Sequence, residues 1–539
     1  MSISNLSIFH FQFSIFNFLA LCLCVSVVNL SCRSNPTNLR NVIPADALVY
    51  LETNDLGKTV AAITQNRSFQ QLAKTQPDTS ALNGIKLAVA ITGFHTSEEA
   101  LTDENSVLNF QPRFVAVAET NAWNFQAMSF TENKLGEFIN ETYGGEVTLE
   151  TSDKHDGKYF VWTSQDGRKA YALVSGSLIF FGNDESAIEK CIEVTRGEAE
   201  SIAKNAQITA FPSETIASGY VSTDGVAQIS NIAGVSLALG ASEEGEVKSF
   251  IARVLPEILR KSVTDVTWTA SKTEMGITDN YMIKTNTEVA AVFKETLGPA
   301  NSGASALVDS LPATVFSATR YDITNPQIAW RSILLTAQKQ TDAVSGSLIA
   351  AFSGSLAEPY GIEDAEVFLS GVGSQIITAR FDNEGDNSVI IATVKDAQKV
   401  KNGIAKEISF SKAPEKQADA EIWRSDDGEI AAAFIADKLI LGDAESVLKC
   451  LQARLGGDNF AKHGMFRQFS ESDAVAVTVA KDFQSTTKIV EALTEKKTAN
   501  ETIPTNQMTE TRFNQNGIER RTVSDFGMIG SIIEQFGKE

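Results

Sequence analysis

The chain has 539 residues, with 46 lysines and arginines against 67 aspartates and glutamates, and its formal net charge is −21. So large an excess of negative charge repels phosphate backbones and anionic lipid surfaces, and no basic stripe interrupts it, which excludes nucleic acid as a partner. Glycine is frequent, with 35 residues, and proline is sparse, with 12, which favours a folded chain over a disordered one.

The amino-terminal segment predicts an exported protein. Residues 1–32 contain no charged side chain, and residues 8–30 are dominated by Phe, Ile, Leu, Val and Cys. Such a leader is an export signal or a membrane span. Leu30-Ser31-Cys32 resembles a bacterial lipobox, in which the Cys32 thiol takes a lipid and becomes the new amino terminus. A cleaved signal without lipid and an uncleaved anchor are the alternatives. In all three cases the body, after a tether at 33–41, lies outside the cytoplasm, and we expect a membrane-anchored envelope protein, periplasmic or on the outer surface.

The first half of the chain, 42–297, alternates strand and helix patterns. Its best-defined part is a meander that turns at Asp166-Gly167, a strong hairpin signal because glycine takes the positive φ that the turn demands. Asn183 is placed to begin the helix after the meander, and the half ends with a hairpin at Gly276 and an amphipathic helix. The predicted strands are 47–53, 85–92, 114–120, 159–164, 170–174 and 178–181, and helices lie around 60–72, 133–142, 184–196 and 289–293.

A run of small, polar and Gly/Pro residues at 298–309 predicts a linker to the second half, 310–539. The second half carries a similar succession of patterns. Its predicted strands are 315–321, 365–370, 376–381, 389–394, 421–425, 431–435 and 438–441, and its helices are one long helix over 328–352, one over 397–408, one from Asp443 to Arg454 and one over 528–536.

The two halves repeat each other in order. The stretch Trp162 to Gly167 returns as Trp423 to Gly428, and the offset between matched residues falls from 268 near Pro44 to 241 at Gly276. This predicts an α+β fold of two tandem related domains, each a largely antiparallel sheet packed with helices. The meander strands are apolar at nearly every residue, so we expect both faces of the sheet to be covered there.

Cysteine usage favours two separate buried thiols in the body. Cys191 and Cys450 occupy nearly equivalent positions of the two halves, each in an apolar helical stripe, where a thiol behaves as a small hydrophobe. A bridge between the halves would need both helices at the domain interface.

Residues with catalytic chemistry are not shared by the two halves. His95, His155 and His463 have no counterparts and are predicted to be isolated surface side chains. Ser446 and Lys449 have the S-x-x-K spacing of a Ser/Lys acyl enzyme, in which the lysine acts as base. The first half has Ser186-Ala187-Ile188-Glu189 there, without a base, which argues for chance.

Two loops carry carboxylates at metal-like spacing. Asp153-Lys154-His155-Asp156 offers three ligands, but consecutive ligands on a short turn rarely converge on one ion. The run from Asp382 to Asn387 lacks the glycine and glutamate of a calcium loop and is more simply a hairpin tip. We predict no metal, no cofactor and no catalytic residue.

Shared residues of the repeat favour structural roles. Trp162 and Trp423 could line a ligand groove but are more simply core side chains beside a tight turn. Glu185-Ser186 and Glu445-Ser446 have the chemistry of a helix start.

An exported leader, a Pro44-Ala45-Asp46-Ala47 start, an Asp-Gly hairpin, a short apolar strand and a Gly-x-x-Glu-Ser helix opening come together in this chain. They resemble a bacterial family of exported proteins, domain-of-unknown-function family 3352, and the resemblance covers both halves. It implies an envelope protein without assigned chemistry and brings no catalytic residues with it.

These observations favour a non-enzymatic envelope lipoprotein, tethered at Cys32, that binds a protein or another envelope component. A carrier of an apolar ligand or lipid is the second hypothesis, motivated by the apolar strands and the 31 phenylalanines. A hydrolase with an unrecognised, dispersed site is the third.

Overall fold

The structure is a computed structural model of the chain. It describes residues 38–73, 76–100, 106–120, 122–239, 246–342, 345–346, 349, 353, 357–383, 387–456, 458–460, 466–482, 486–494 and 505–535. The predicted leader, Cys32 and the tether up to residue 37 therefore lie outside the described residues. Leu39–Asn41 forms a 3₁₀ turn in which Leu39 is buried. Among the described residues, no helix combines the length and the apolar character needed to cross a membrane.

Twenty strands form one sheet across the described chain. In the first half they are β1 Val49–Thr53, β2 Lys86–Ala100, β3 Ser106–Glu119, β4 Thr148–Lys154, β5 Gly157–Thr163, β6 Lys169–Ser175, β7 Leu178–Gly182, β8 Ala217–Val221, β9 Val263–Thr273 and β10 Gly276–Thr285. In the second half they are β11 Ser317–Asp322, β12 Val372–Arg380, β13 Ser388–Val394, β14 Glu415–Gln417, β15 Ala420–Arg424, β16 Ile430–Ile435, β17 Lys438–Asp443, β18 Ala476–Asp482, β19 Thr505–Asn514 and β20 Gly517–Ser524.

Helices connect these strands. In the first half they are α1 Leu56–Thr64, α2 Arg67–Leu72, α3 Asn124–Phe130, α4 Gly136–Tyr143, α5 Glu185–Thr195, α6 Ala206–Thr209, α7 Thr223–Leu239, α8 Glu246–Ser262 and α9 Thr287–Thr296. In the second half they are α10 Pro326–Lys339, α11 Ala365–Gly371, α12 Ala397–Gly403, α13 Ala444–Arg454, α14 Phe466–Glu471, α15 Thr486–Thr494 and α16 Gly527–Glu534. A π-helical turn at Thr131–Leu135 joins α3 to α4. Helices on a large antiparallel sheet place the protein in the α+β class.

The strand order is the same in both halves when each is followed from its outer edge. It is β4-β5-β6-β7-β3-β2-β1-β8-β9-β10 in the first half. It is β14-β15-β16-β17-β13-β12-β11-β18-β19-β20 in the second. β10 pairs with β20 in antiparallel register, with Asn280 opposite Arg521. The two sets of ten strands therefore meet at their last strands.

Away from this junction both faces of the sheet are buried, as the apolar strands predict. In β2, Leu87 and Val89 enter one hydrophobic cluster, whereas Ala88 and Ala90 enter another. We call the face covered by α5 and α13 the front face, and the opposite face the back face. Helices α1 to α4 cover the back of the first half, and α11 and α12 cover the back of the second.

At the junction the terminal helices of the halves are exchanged on the back face. α16, from the second half, packs on β10, and α9, from the first half, packs on β19 and β20. The buried Asp279 side chain accepts hydrogen bonds from Trp268 Nε1 (2.8 Å) and from the backbone N–H of Met528 in α16 (2.9 Å). A Cβ on Gly527 would lie 2.7 Å from Asp279 Oδ2, so this close approach requires glycine.

Three predicted elements are wrong. The predicted strand 365–370 is the helix α11, which begins where the Asp364 side chain accepts the N–H of Val367; apolar runs this short fit either structure. The long helix over 328–352 ends at Lys339. Asp184, not Asn183, caps α5. The Asn183 side chain instead accepts the N–H of Phe114 and binds the sheet.

Several elements have no counterpart in the prediction. α7 and α8, each of 17 residues, form a helical hairpin between β8 and β9. The edge strand β4 is exposed at nearly every residue and pairs only with β5. The predicted turns at Asp166-Gly167 and Asp427-Gly428 are confirmed, with φ of 84° at Gly167 and 80° at Gly428.

Candidate functional site

A row of eight residues, seven of them polar, crosses the middle of the sheet on the front face. Directly opposed residues of an antiparallel sheet point to the same side, so the row can be followed from strand to strand through the pairs that join β1 to β11. It contains Glu52, Ser218, Thr269, Asn280, Arg521, Glu510, Val477 and Arg320. We call these eight residues the central row.

The central row is polar because the helices that cover the front face lie to either side of it. Beyond Glu52 the row continues as Ala88 and Val117 beneath α5, and beyond Arg320 it continues as Ile377 and Ile391 under α13. At its centre Asn280 is exposed and Arg521 is half-buried. The middle of the front face is thus an open, hydrogen-bonding surface between two covered halves.

At one end of the row, Glu52 belongs to a buried cluster with Arg40 and Tyr50. Arg40 Nε donates to Glu52 Oε2 at 2.9 Å, and the Tyr50 hydroxyl donates to the same oxygen at 2.7 Å. The hydrogen bond to Glu52 raises the pKa of Arg40, and burial raises that of Tyr50 well above its ordinary value. The Glu52 carboxylate therefore accepts hydrogen bonds from a guanidinium and a phenol at this end of the row.

At the other end, Arg320 is fully buried. Its Nη2 donates to the Ser472 carbonyl at 2.5 Å, whereas Nε and Nη1 have no hydrogen-bond partner in the described part of the chain. Burial lowers the pKa of this guanidinium, and Asp322 and Glu510 oppose that effect. Each half therefore buries one charged side chain at the same position of the row, with opposite sign.

Two positions along the row from Arg320, Glu510 binds a side chain of its own strand and a serine that precedes β18. The Ser472 hydroxyl donates to Glu510 Oε1 at 2.6 Å, and Arg512 Nη1 donates to Oε2 at 3.2 Å. Burial alone would raise the pKa of Glu510, but these hydrogen bonds and the charges of Arg512 and Arg521 hold it below its ordinary value. Glu510 is therefore an anion that positions two guanidinium groups.

A cavity of about 310 Å³ opens beside the Arg40–Glu52 pair. Lys86, whose ammonium pairs with Glu119 at 2.8 Å, forms part of its wall. The complete lining is Asn38, Leu39, Arg40, Asn54, Lys86, Phe211, Pro212 and Ser213. The Phe211 ring lies against the Arg40 guanidinium, 5.6 Å from centroid to Cζ. The lining is about equally polar and apolar, with amide, ammonium and hydroxyl groups beside Leu39, Phe211 and Pro212.

The predicted site residues are not brought together. His95 is exposed on β2, and His463 lies outside the described residues. His155 and Asp156 form the β4–β5 turn with φ of 54° and 56°. Burial, followed by the charges of Lys154 and Arg196, lowers the pKa of His155. The described residues contain no group of three or more His, Cys, Asp or Glu side chains placed to hold a metal.

Ser446 and Lys449 do not form a nucleophile and base. The Ser446 side chain is fully buried in α13, and its hydroxyl has no described partner. Lys449 pairs with Glu445 at 2.8 Å. At the Asp382 loop, of which residues 384–386 are not described, Asp382 Oδ2 accepts the N–H of Asn387 at 2.9 Å, as at a hairpin tip.

The two shared tryptophans are buried, as the core interpretation predicts, but their surroundings differ. Trp162 stacks on Phe160 with ring centroids 5.8 Å apart. Trp423 donates its indole N–H to Lys412 and, with Phe410 and Phe434, surrounds the ammonium group of Lys401. Lys401 Nζ lies 4.4 Å from the Trp423 ring centroid, a cation–π arrangement.

The shared helix starts and cysteines also take the structural roles predicted for them. Glu185 accepts a hydrogen bond from Lys154 at 2.8 Å, which lowers the pKa of its carboxyl. Cys191 and Cys450 are buried free thiols in α5 and α13, and burial raises the pKa of both. A protonated, buried thiol is inert as a nucleophile.

The central row could not be predicted from the sequence, because its eight residues come from eight different strands. One signal is present: Thr267, Thr269 and Ser271 alternate with Trp268 and Ala270 along β9, the period-2 pattern of a strand with one open face.

Searches with this chain found no matching protein-family model, no matching curated protein and no matching solved structure.

Proposed function

We propose that the protein is a non-enzymatic binding protein of the cell envelope, built from two tandem related domains and anchored through a lipid on Cys32. The duplication is supported by the shared strand order and by the register at the junction. Near the ends of the halves, the residue numbers of matched positions differ by 241. Asn280 therefore matches Arg521, and the two residues are also paired across the junction. Two copies joined about a pseudo-twofold axis would have this register.

Export and anchoring rest on the leader. Its uncharged apolar run, followed at once by Cys32 and a polar stretch, supports lipidation at that residue. Replacing Cys32 with serine is expected to move the protein from the detergent phase to the aqueous phase in a detergent-partition assay. An unchanged partition would contradict the lipid anchor.

The central row is the proposed contact surface, and the observation that carries this proposal is the exposure of Asn280, beside the half-buried Arg521, between the helix-covered parts of the front face. An open face rich in amide, hydroxyl and guanidinium groups suits a polar partner, such as a protein or another envelope component. At the Glu52 end, hydrogen bonds from Arg40 and Tyr50 hold the surface rigid, which lowers the ordering cost of binding.

Site-specific photocrosslinking in the native cell tests this proposal. A photoreactive amino acid at Asn280 or at Arg521 is expected to give the same discrete adduct. The matched control is Asp426, whose side chain is 81% exposed at a hairpin tip. Absence of adducts at the two central positions, or identical adducts at the control, would contradict the proposal.

The carrier hypothesis is less well supported than the binder, because the cavity beside Arg40 presents as much polar as apolar lining, whereas an apolar ligand favours a predominantly apolar pocket. Under the binder proposal, organic extracts of the purified protein contain no stoichiometric lipid by mass spectrometry. The hydrolase hypothesis has no support from a positioned nucleophile and base among the candidate residues described above.

A further inference from the structure

Three aromatic rings on the back face of the second half form a group that is separate from the central row. We call Phe410, Trp423 and Phe434 the aromatic cage. Their ring centroids lie 5.5, 5.7 and 6.1 Å apart, and their planes are inclined to one another by 59°, 88° and 81°. Trp423 is 7% exposed and donates its indole N–H to the Lys412 carbonyl at 3.0 Å, which fixes its orientation. The three rings are therefore held in place as one unit.

A cation of the chain itself occupies the aromatic cage. The half-buried Lys401 reaches it from α12. Its Nζ lies 4.4 Å from the ring centroid of Trp423, 5.1 Å from that of Phe434 and 5.3 Å from that of Phe410. All three distances fall within the ~6 Å over which an aromatic ring attracts a cation. Among the residues that the structure describes, the three rings are the only partners of this ammonium group.

The chemistry of the aromatic cage suits a quaternary ammonium group better than it suits a lysine. The ammonium of Lys401 carries three N–H donors and is strongly hydrated, but the rings offer it no hydrogen-bond acceptor. A quaternary ammonium has no N–H to satisfy, and its methyl groups can pack on the rings while its charge interacts with their π-electrons. The net charge of −21 also attracts cationic ligands to the protein.

The first half shows that a meander of this order forms without an aromatic cage. Its corresponding tryptophan, Trp162, stacks on Phe160 with an interplanar angle of 11°, and no described cation lies over the Trp162 ring. The position of Phe434 is taken by Ala172, because each lies two residues beyond the residue that pairs with the tryptophan. The shared strand order therefore does not require the three rings.

We propose that the aromatic cage is a binding site for a quaternary ammonium group, and that Lys401 competes with the ligand and leaves the cage when it binds. The flexible four-carbon stem of Lys401 permits this movement, and no carboxylate of the described chain pairs with its ammonium. A trimethylammonium group occurs in choline-type lipid head groups and in free betaines, which share the chemistry that the cage recognises. The proposal depends neither on the central row nor on a lipid at Cys32.

Two substitutions of Lys401 test the competition, with choline as the probe and isothermal titration of the full chain as the measurement. Lys401→Ala vacates the cage, whereas Lys401→Met removes the same charge but leaves an apolar side chain in the cage. Lys401→Ala is expected to bind choline about tenfold more tightly than the unmodified chain, because a cation–π contact of this kind no longer competes. Lys401→Met is expected to lose binding. Equal affinities of the two variants, or no gain in Lys401→Ala over the unmodified chain, would overturn the proposal.

A neutral ligand and a ring deletion show whether the cage recognises the charge. The tert-butyl isostere of choline, in which carbon replaces nitrogen, is expected to bind Lys401→Ala at least about tenfold more weakly than choline does. Adding Phe434→Ala to Lys401→Ala is expected to weaken choline binding, and the fold should tolerate this change because the first half carries alanine there; circular dichroism checks that it does. Equal binding of the isostere, or choline binding unchanged by Phe434→Ala, would overturn a cation site.

The two sources of the ligand are separated by titrating Lys401→Ala with glycerophosphocholine and with glycine betaine. Tighter binding of glycerophosphocholine would support a lipid head group as the ligand, and tighter binding of betaine would support a free solute. Failure of both compounds to bind would overturn the proposal.

Discussion

The junction on the back face depends on Asp279, and its removal should destabilise the whole sheet. The carboxyl is 1% exposed and accepts hydrogen bonds from the Trp268 indole and from Met528 at the start of α16. Asp279→Ala leaves two buried donors without partners, each at a cost of about 1–3 kcal/mol. We therefore expect the free energy of unfolding to fall by about 2–6 kcal/mol in urea titrations followed by circular dichroism.

The stability that Asp279 contributes should also depend on pH, and the direction follows from its pKa. Burial raises the pKa of Asp279 in the folded protein. An acid whose folded pKa is raised contributes stability that is fully present below its unfolded pKa, about 4, and is lost as pH rises through the folded value. The stability advantage of the wild type over Asp279→Asn should therefore be larger at pH 4 than at pH 7. An advantage that grows with pH, or an Asp279→Ala loss no larger than that of the exposed control Asp426→Ala, would contradict a stabilising role of Asp279 at the junction.

Three further predictions concern the joined halves and their cores. Cleavage at a protease site inserted after Gly303 should leave the two halves co-eluting in size-exclusion chromatography, because β10–β20 pairing and the exchanged helices hold them together; separation without denaturant would contradict this. Lys401→Met should lower the free energy of unfolding by about 1 kcal/mol through the lost cation–π contacts, measured against Lys399→Met on the same helix, which should change it little. Cys191 and Cys450 should react with a thiol reagent only as the protein unfolds, and rapid labelling of the native protein would contradict their burial.

The sequence predicts most of the meander and its turns because local chemistry determines them. The Asp-Gly turns need a positive φ that glycine supplies, and the strands around them fall where the apolar runs predict. α11 is predicted wrongly as a strand, because Glu366 to Ser370 fits either structure by pattern and the deciding group, the Asp364 cap, precedes the run. The helical hairpin of α7 and α8 is absent from the prediction, which places no helix between β8 and β9; the corresponding interval between β18 and β19 contains α15 among its described residues.

The candidate site could not be predicted because it depends on strand order. Glu52 and Arg320 are 268 residues apart in the chain and reach the same row only through the register of the strands between them. The pairing of β10 with β20 is likewise invisible in a repeat alignment, which relates the halves without saying that they touch. The internal repeat predicts corresponding elements, and tertiary pairing decides which side chains meet.

The pairing across the junction can be measured directly. Asn280→Cys with Arg521→Cys places the two thiols opposite each other on the exposed front face, whereas Asn280→Cys with Arg520→Cys places them on opposite faces. We expect a bridge in the first pair and reduced thiols in the second. Bridging of the slipped pair alone, or of neither pair, would contradict a single sheet shared by two halves that meet at Asn280 and Arg521.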